Sequence, residues 1–159
     1  MTPLRVSKAV FRALTGKPLR RASTFRPKKL AKTTVRIVPG RRAQFLLPIT
    51  LASEPNRPTG EHWAAKRQRR MNQAKTVWWA LTQHKADLPA FPVRVVLQYR
   101  SPRAMDADNL AAAFKGVRDQ IADVYGRRSD AEAEGWKWVT RHLVRQKVGV
   151  MITITPLTR

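Results

Sequence analysis

No Asp or Glu occurs before Glu54, although thirteen of the thirty-two Lys and Arg residues lie in residues 1–42. A stretch with cations and no counter-charge repels itself when it compacts, which argues against a packed core there. Pro18, Pro27 and Pro39 also interrupt any long helix. Residues 1–42 therefore read as a basic arm, and residues 43–159 as the one domain that this length supports. Leu4 to Leu14 has the spacing of a short amphipathic helix, with Val6, Val10, Phe11 and Leu14 on one side. An Arg-rich, acid-free start also describes an organelle transit peptide, the lesser alternative to an arm that grips phosphates.

The net charge of +22 calls for a polyanionic partner, and nucleic acid is the common one. No apolar run approaches the roughly 18–20 residues needed to span a bilayer, so no membrane association is expected. With no cysteine, disulfides, thiolate zinc sites and cysteine nucleophiles are excluded. His62, His84 and His142 are scattered, which speaks against a histidine-rich metal centre.

Phe45, Leu46, Leu47 and Ile49 read as a strand, followed by the loop from Ser53 to Gly60. Trp63, Met71, Ala74, Trp78 and Leu81 then recur at helical spacing among Lys66, Arg67, Arg69, Arg70 and Lys75. That pattern predicts a basic amphipathic helix whose tryptophans pack into the core. After Pro92, the residues Val93, Val95, Leu97 and Tyr99 alternate as one buried face of a strand. Leu110, Phe114, Val117, Ile121 and Val124 mark a second helix over about 109–125, with Asp108 as its N-cap. Two strands close the pattern, 136–143 and 148–154, expected as a hairpin around a short basic turn. The order β-α-β-α-β-β predicts an α/β fold, a small mixed sheet packed with two helices.

Seven of the ten acids fall between Asp106 and Glu134, a local reversal of an otherwise basic chain. Asp106 and Asp108 stand two residues apart where a loop enters the second helix. In an extended approach both side chains point the same way and can share a hard cation. Oxygen ligands favour Mg2+, with Mn2+ able to substitute, over zinc. A helix cap accounts for one of these carboxylates, but capping does not require the second. Asp130, Glu132 and Glu134 follow in the loop beyond the helix.

Residues 105–130, MDADNLAAAFKGVRDQIADVYGRRSD, resemble the core motif of the RusA-type Holliday junction resolvases: Asp-x-Asp-Asn-Leu opening a helix, then a further Asp in the next loop. SEPNRPTGEHWAAKRQRR resembles the loop and basic helix upstream, so the likeness spans residues 43 to about 156. It implies a homodimeric α/β endonuclease in the cytoplasm of a bacterial or phage-infected cell, cutting four-way DNA junctions with Mg2+ during recombination and repair. Asp106, Asp108 and Asp130 would then be the metal-binding, catalytic carboxylates, with Glu132 the alternative to Asp130.

The family's lysine four residues after the second Asp falls on Ala112 here. Lys115, nearly on the Asp108 face, is the substitute candidate, or else simply the i to i+4 partner of Asp119. Arg69, Arg70, Arg100 and Arg103 are the expected DNA-binding residues. The rival reading is a non-catalytic basic nucleic-acid-binding protein, ribosome- or nucleoid-associated, in which the carboxylates only cap and balance charge.

Overall fold

The computed structural model describes residues 33–52 and 63–157. The expectations for the Leu4–Leu14 helix, for His62 and for the loop at 53–60 lie outside the described residues. Five strands form one mixed sheet: β1 (Thr34–Val38), β2 (Arg42–Leu47), β3 (Val93–Ser101), β4 (Trp136–Val144) and β5 (Gly149–Pro156). Their spatial order is β1-β2-β5-β3-β4, and only the β3–β4 pair is parallel. Two helices, α1 (Trp63–Thr82) and α2 (Ala107–Val124), complete the α/β fold that the sequence pattern predicts.

The sheet begins earlier than expected, inside the segment assigned to the basic arm. Val35 and Ile37 alternate with Thr34 and Arg36 and pair with Phe45 and Ala43 of β2. The turn between these strands uses Gly40 at φ +67°, a left-handed conformation that costs glycine little. The density of positive charge hid this two-residue alternation in the sequence.

The expected closing hairpin is not formed. β4 pairs with β3 alone, in parallel, and β5 lies between β2 and β3. Strand composition accounts for this. Val150, Ile152 and Ile154 of β5 are fully buried and its other face carries Met and Thr, so it suits the centre. β4 carries Lys137 and Arg141 and takes an edge, where charged side chains are tolerated. Residues 145–148 therefore step over the end of β3, and the Arg145 N–H donates to the Ser101 carbonyl at 3.0 Å. Gly149 begins β5 because a Cβ there would stand 2.9 Å from the Leu47 carbonyl oxygen.

α2 follows its predicted stripe: Leu110, Phe114, Val117, Ile121 and Val124 are all buried. Its end has a Schellman arrangement, with Arg127 N–H donating to the Ala122 carbonyl, Gly126 N–H to that of Asp123, and Gly126 at φ +69°. α1 departs from expectation. Its buried residues are Val77, Ala80 and Leu81, with Trp79 half-buried, whereas Trp63 and Trp78 are 66% and 49% exposed and Met71 is also exposed. The adjacent Trp78 and Trp79 permit two helical faces, and the face turned by one residue is the one that meets the sheet.

Candidate functional site

The loop after β3 is fixed before it reaches the carboxylates. The Ser101 hydroxyl donates to the Arg103 carbonyl at 2.6 Å, which commits its only proton. His142 Nε2, 2.9 Å from the same oxygen, must then be the donor in that contact. Ser101 is thus a buried pin for the loop at 102–105 and has no proton arrangement suited to a nucleophile. Tyr99 lies beside His142, with ring centroids 5.7 Å apart, and donates its hydroxyl to the Leu51 carbonyl. Burial pushes the Tyr99 phenol above its ordinary pKa.

Asp106, not Asp108, occupies the N-cap of α2. Its carbonyl accepts the first helical bond, from Leu110 N–H at 2.9 Å, but its carboxylate makes no capping bond. The only contact of that carboxylate among the described residues is a long one, 3.4 Å, from the Asn109 side-chain amide. Asp108 lies in the first turn, exposed, and has neither an ion pair nor a hydrogen bond among the described residues. Both carboxylates benefit from the positive end of the helix dipole. Neither is consumed by the fold.

Asp130 is held quite differently. The residue is only 8% exposed, with Lys115 Nζ 2.9 Å from Oδ1 and Arg118 Nε 2.9 Å from Oδ2. The Arg118 contact lies off the N–H direction, so it is an ion pair without a hydrogen bond. Two indoles fix the surrounding loop: Trp136 Nε1–H donates to the Ser129 carbonyl at 3.0 Å and Trp138 Nε1–H to that of Asp130 at 2.7 Å. Those rings stack at 5.0 Å, and the Arg118 guanidinium lies 4.9 Å from the Trp138 ring centre. Seven residues separate Asp108 from Lys115, a rise of roughly 10 Å along the helix. Asp106 and Asp108 are neighbours at the start of α2, but the extended approach expected through both is not formed, because the helix already begins at Ala107; no group of three metal-binding side chains, with Asp130 or without it, forms among the described residues. Glu132 is exposed in a short 3-10 turn (Glu132–Glu134).

Of the two alternatives for Lys115, the i to i+4 ion pair with Asp119 is formed, and Asp130 is a second partner. Its ammonium contacts Asp119 at 2.6 Å and Asp130 at 2.9 Å, and these bonds, Asp119 first, raise its pKa above the ordinary value. It remains a cation at any ordinary working pH and cannot serve as a general base. Lys115 also lines a cleft of about 510 Å3 between α1 and α2, together with Arg69, Arg70, Gln73, Ala112 and Gly116. Ala112, where the resemblance would place a lysine, is thus in the same cleft as three cations.

The expected DNA-binding residues divide. Arg69 and Arg70 line this cleft, and Arg103 lies in the pinned loop. Arg100 is on the other face of the sheet, near Gln98 and Met151. Arg118, Trp138 and Ser101 were not singled out by the sequence pattern, and His142 entered it only as one of three scattered histidines. The spacing from Lys115 to Arg118, one helical turn, is the one signal that pointed to a shared partner. Compared with models of known protein families and with curated proteins, the chain matches none.

Proposed function

We propose that this chain is a Mg2+-dependent, structure-selective endodeoxyribonuclease that resolves four-way DNA junctions, working as a homodimer whose two-fold symmetry matches that of the substrate. The observation that carries the reading is the pair Asp106 and Asp108: two carboxylates at one helix start, open to solvent, without a capping bond or cation partner among the described residues. Magnesium keeps several waters and is commonly bound through one or two carboxylates plus substrate phosphate, so this donor set fits it. Bound there, the ion would activate water and neutralise charge at the phosphorus.

The chain's own residues have separate tasks. Asp106 and Asp108 hold the ion, while the Ser101 and His142 pin keeps their loop in place. Arg69, Arg70 and Arg103 bind phosphates and so hold a strand without reading its bases. Lys115, roughly 10 Å further along α2 than Asp108, adds positive charge to the cleft that holds the strand. Asp130, in this reading, orients Lys115 and Arg118 by ion pairing; it becomes a third ligand only if those contacts open.

A second reading, a non-catalytic nucleic-acid-binding protein, is favoured by one observation: Asp130 is neutralised within the fold, leaving two carboxylates at the helix start. A synthetic four-way junction incubated with the protein in magnesium or in chelator separates the two. Nicking in magnesium alone is expected, and Asp106→Asn with Asp108→Asn should lower it at least 100-fold while junction affinity holds or rises. Cleavage by the double variant at the wild-type rate would end the assignment.

A further inference from the structure

The sheet has a second face, opposite α1, α2 and the buried core, that the proposed reaction does not use. Register assigns it the cations Arg36, Arg42, Arg94, Arg100, Lys137 and Arg141, interspersed with Gln44, Met151 and Thr153 and with the aliphatic Val38, Leu46, Val96, Val139 and Leu143. Among the described residues, this face carries six cations and no Asp or Glu, and none of the six forms an ion pair. Arg94 and Lys137 are direct register partners, a like-charge juxtaposition that costs stability without an anion to offset it. A shallow hollow of about 210 Å3 lies on the same face, lined by Thr34, Arg36, Gln44, Leu46, Arg100 and Met151. Its two arginines and its polar Thr and Gln are groups that donate to phosphate oxygens.

We infer that this open sheet face is a second nucleic-acid surface, one that binds the phosphate backbone of duplex DNA. Charge complementarity selects the partner class. Two copies packed face to face would bring twelve cations together, which disfavours self-association through this surface. The strand aromatics Phe45, Tyr99, Trp136 and Trp138 all share the helix-facing side by register. The open face therefore has no ring on which to stack an unpaired base, and no bulky aromatic to insert into a lipid surface. What remains is backbone contact, which is insensitive to sequence and strongly dependent on salt.

The test uses the full chain in chelator, so that it is independent of whether the protein cuts DNA. Arg36→Gln, Arg94→Gln, Lys137→Gln and Arg141→Gln are combined, and affinity for a duplex of arbitrary sequence is measured across salt concentrations. The slope of log affinity against log salt should become less negative by roughly 2–4, at about 0.9 for each phosphate no longer neutralised. The Arg94→Gln, Lys137→Gln double variant should show roughly half that change and melt no lower than wild type, because it relieves a repulsion. A control neutralising four exposed cations off this face, Arg67, Lys85, Arg128 and Lys147, removes the same net charge. Equal flattening in the control would reduce the effect to overall charge and overturn the inference. An unchanged slope would also overturn it, whether accompanied by dissociation of a dimer in sedimentation, which would assign the face to a second copy, or by weaker binding to phosphatidylserine vesicles, which would assign it to lipid.

Discussion

Asp106 and Asp130 are the same residue type in the same 26-residue motif, yet the fold treats them in opposite ways. Asp106, with Asp108, stands at a helix start with its carboxylate almost uncommitted. Asp130 is buried between two cations, on a loop tied down by two indole N–H groups. A fold that satisfies a buried carboxylate uses it for stability, whereas one left open at a helix terminus is available to bind something else. The difference lies in the partners and is invisible in the residue type.

That contrast is most directly broken by exchanging the effects of substitution. Asp106→Asn and Asp108→Asn should lower cleavage at least 100-fold and cost only about 1 kcal/mol of stability, from the lost attraction to the helix dipole. Asp130→Asn should instead lower stability by about 1–3 kcal/mol in chemical denaturation, because Arg118 loses the partner that compensates its partial burial. Glu132→Gln should be nearly neutral in both assays. An Asp130→Asn protein that is as stable as wild type but dead in cleavage would make Asp130 a ligand and collapse the distinction.

A smaller effect sharpens the role of the cation between the two regions. Lys115→Met removes the charge and keeps much of the stem. If Lys115 acts on the phosphate, kcat on saturating junction should fall about 10-fold or more; an unchanged kcat, with only a slight loss of stability, would make it a partner of Asp119 and Asp130 alone. The smallest effect concerns alkaline pH. Lys115, Tyr99 and Tyr125 all have pKa values raised in the fold, the Lys115 shift by Asp119 and Asp130 and the two phenols by burial. Raised values mean that the folded state holds more protons, so stability is fully present below about pH 10 and declines as pH rises through the folded pKa values. Circular dichroism from pH 9 to 12 should show that loss, and Tyr125→Phe, which removes one of the raised groups and its bond to the Pro89 carbonyl, should make the decline shallower.

Elements whose stripe faces one neighbour were legible in the sequence. α2 and β3 present a single apolar period to the core, and their predicted faces are the buried ones. Where two faces were compatible with the spacing, as in the Trp78–Trp79 region of α1, tertiary contact decided and sequence did not. The pairing of β4 and β5 was likewise beyond local reading, since adjacency in the chain suggests a hairpin and only competition for the centre of the sheet rejects it. At the site, the carboxylate pair was visible because two acids two residues apart exceed what a cap needs. The neutralisation of Asp130 was not, because it requires knowing that Lys115, Arg118, Trp136 and Trp138 converge on one loop.

The position of β5 has a consequence for how the protein is made. β1 with β2, and β3 with β4, are two sub-sheets that meet in the sheet only through Gly149–Pro156. During synthesis the first four strands emerge with no way to join, leaving the β2 and β3 edges and the apolar faces of Phe45, Leu47, Val95 and Leu97 without their central partner. Assembly must wait until residues 149–156 have left the ribosome, and the late pairing is non-local, the slow kind. In that interval the nascent chain combines open strand edges with a strong positive charge, and the charge, through mutual repulsion between chains, protects it from aggregation.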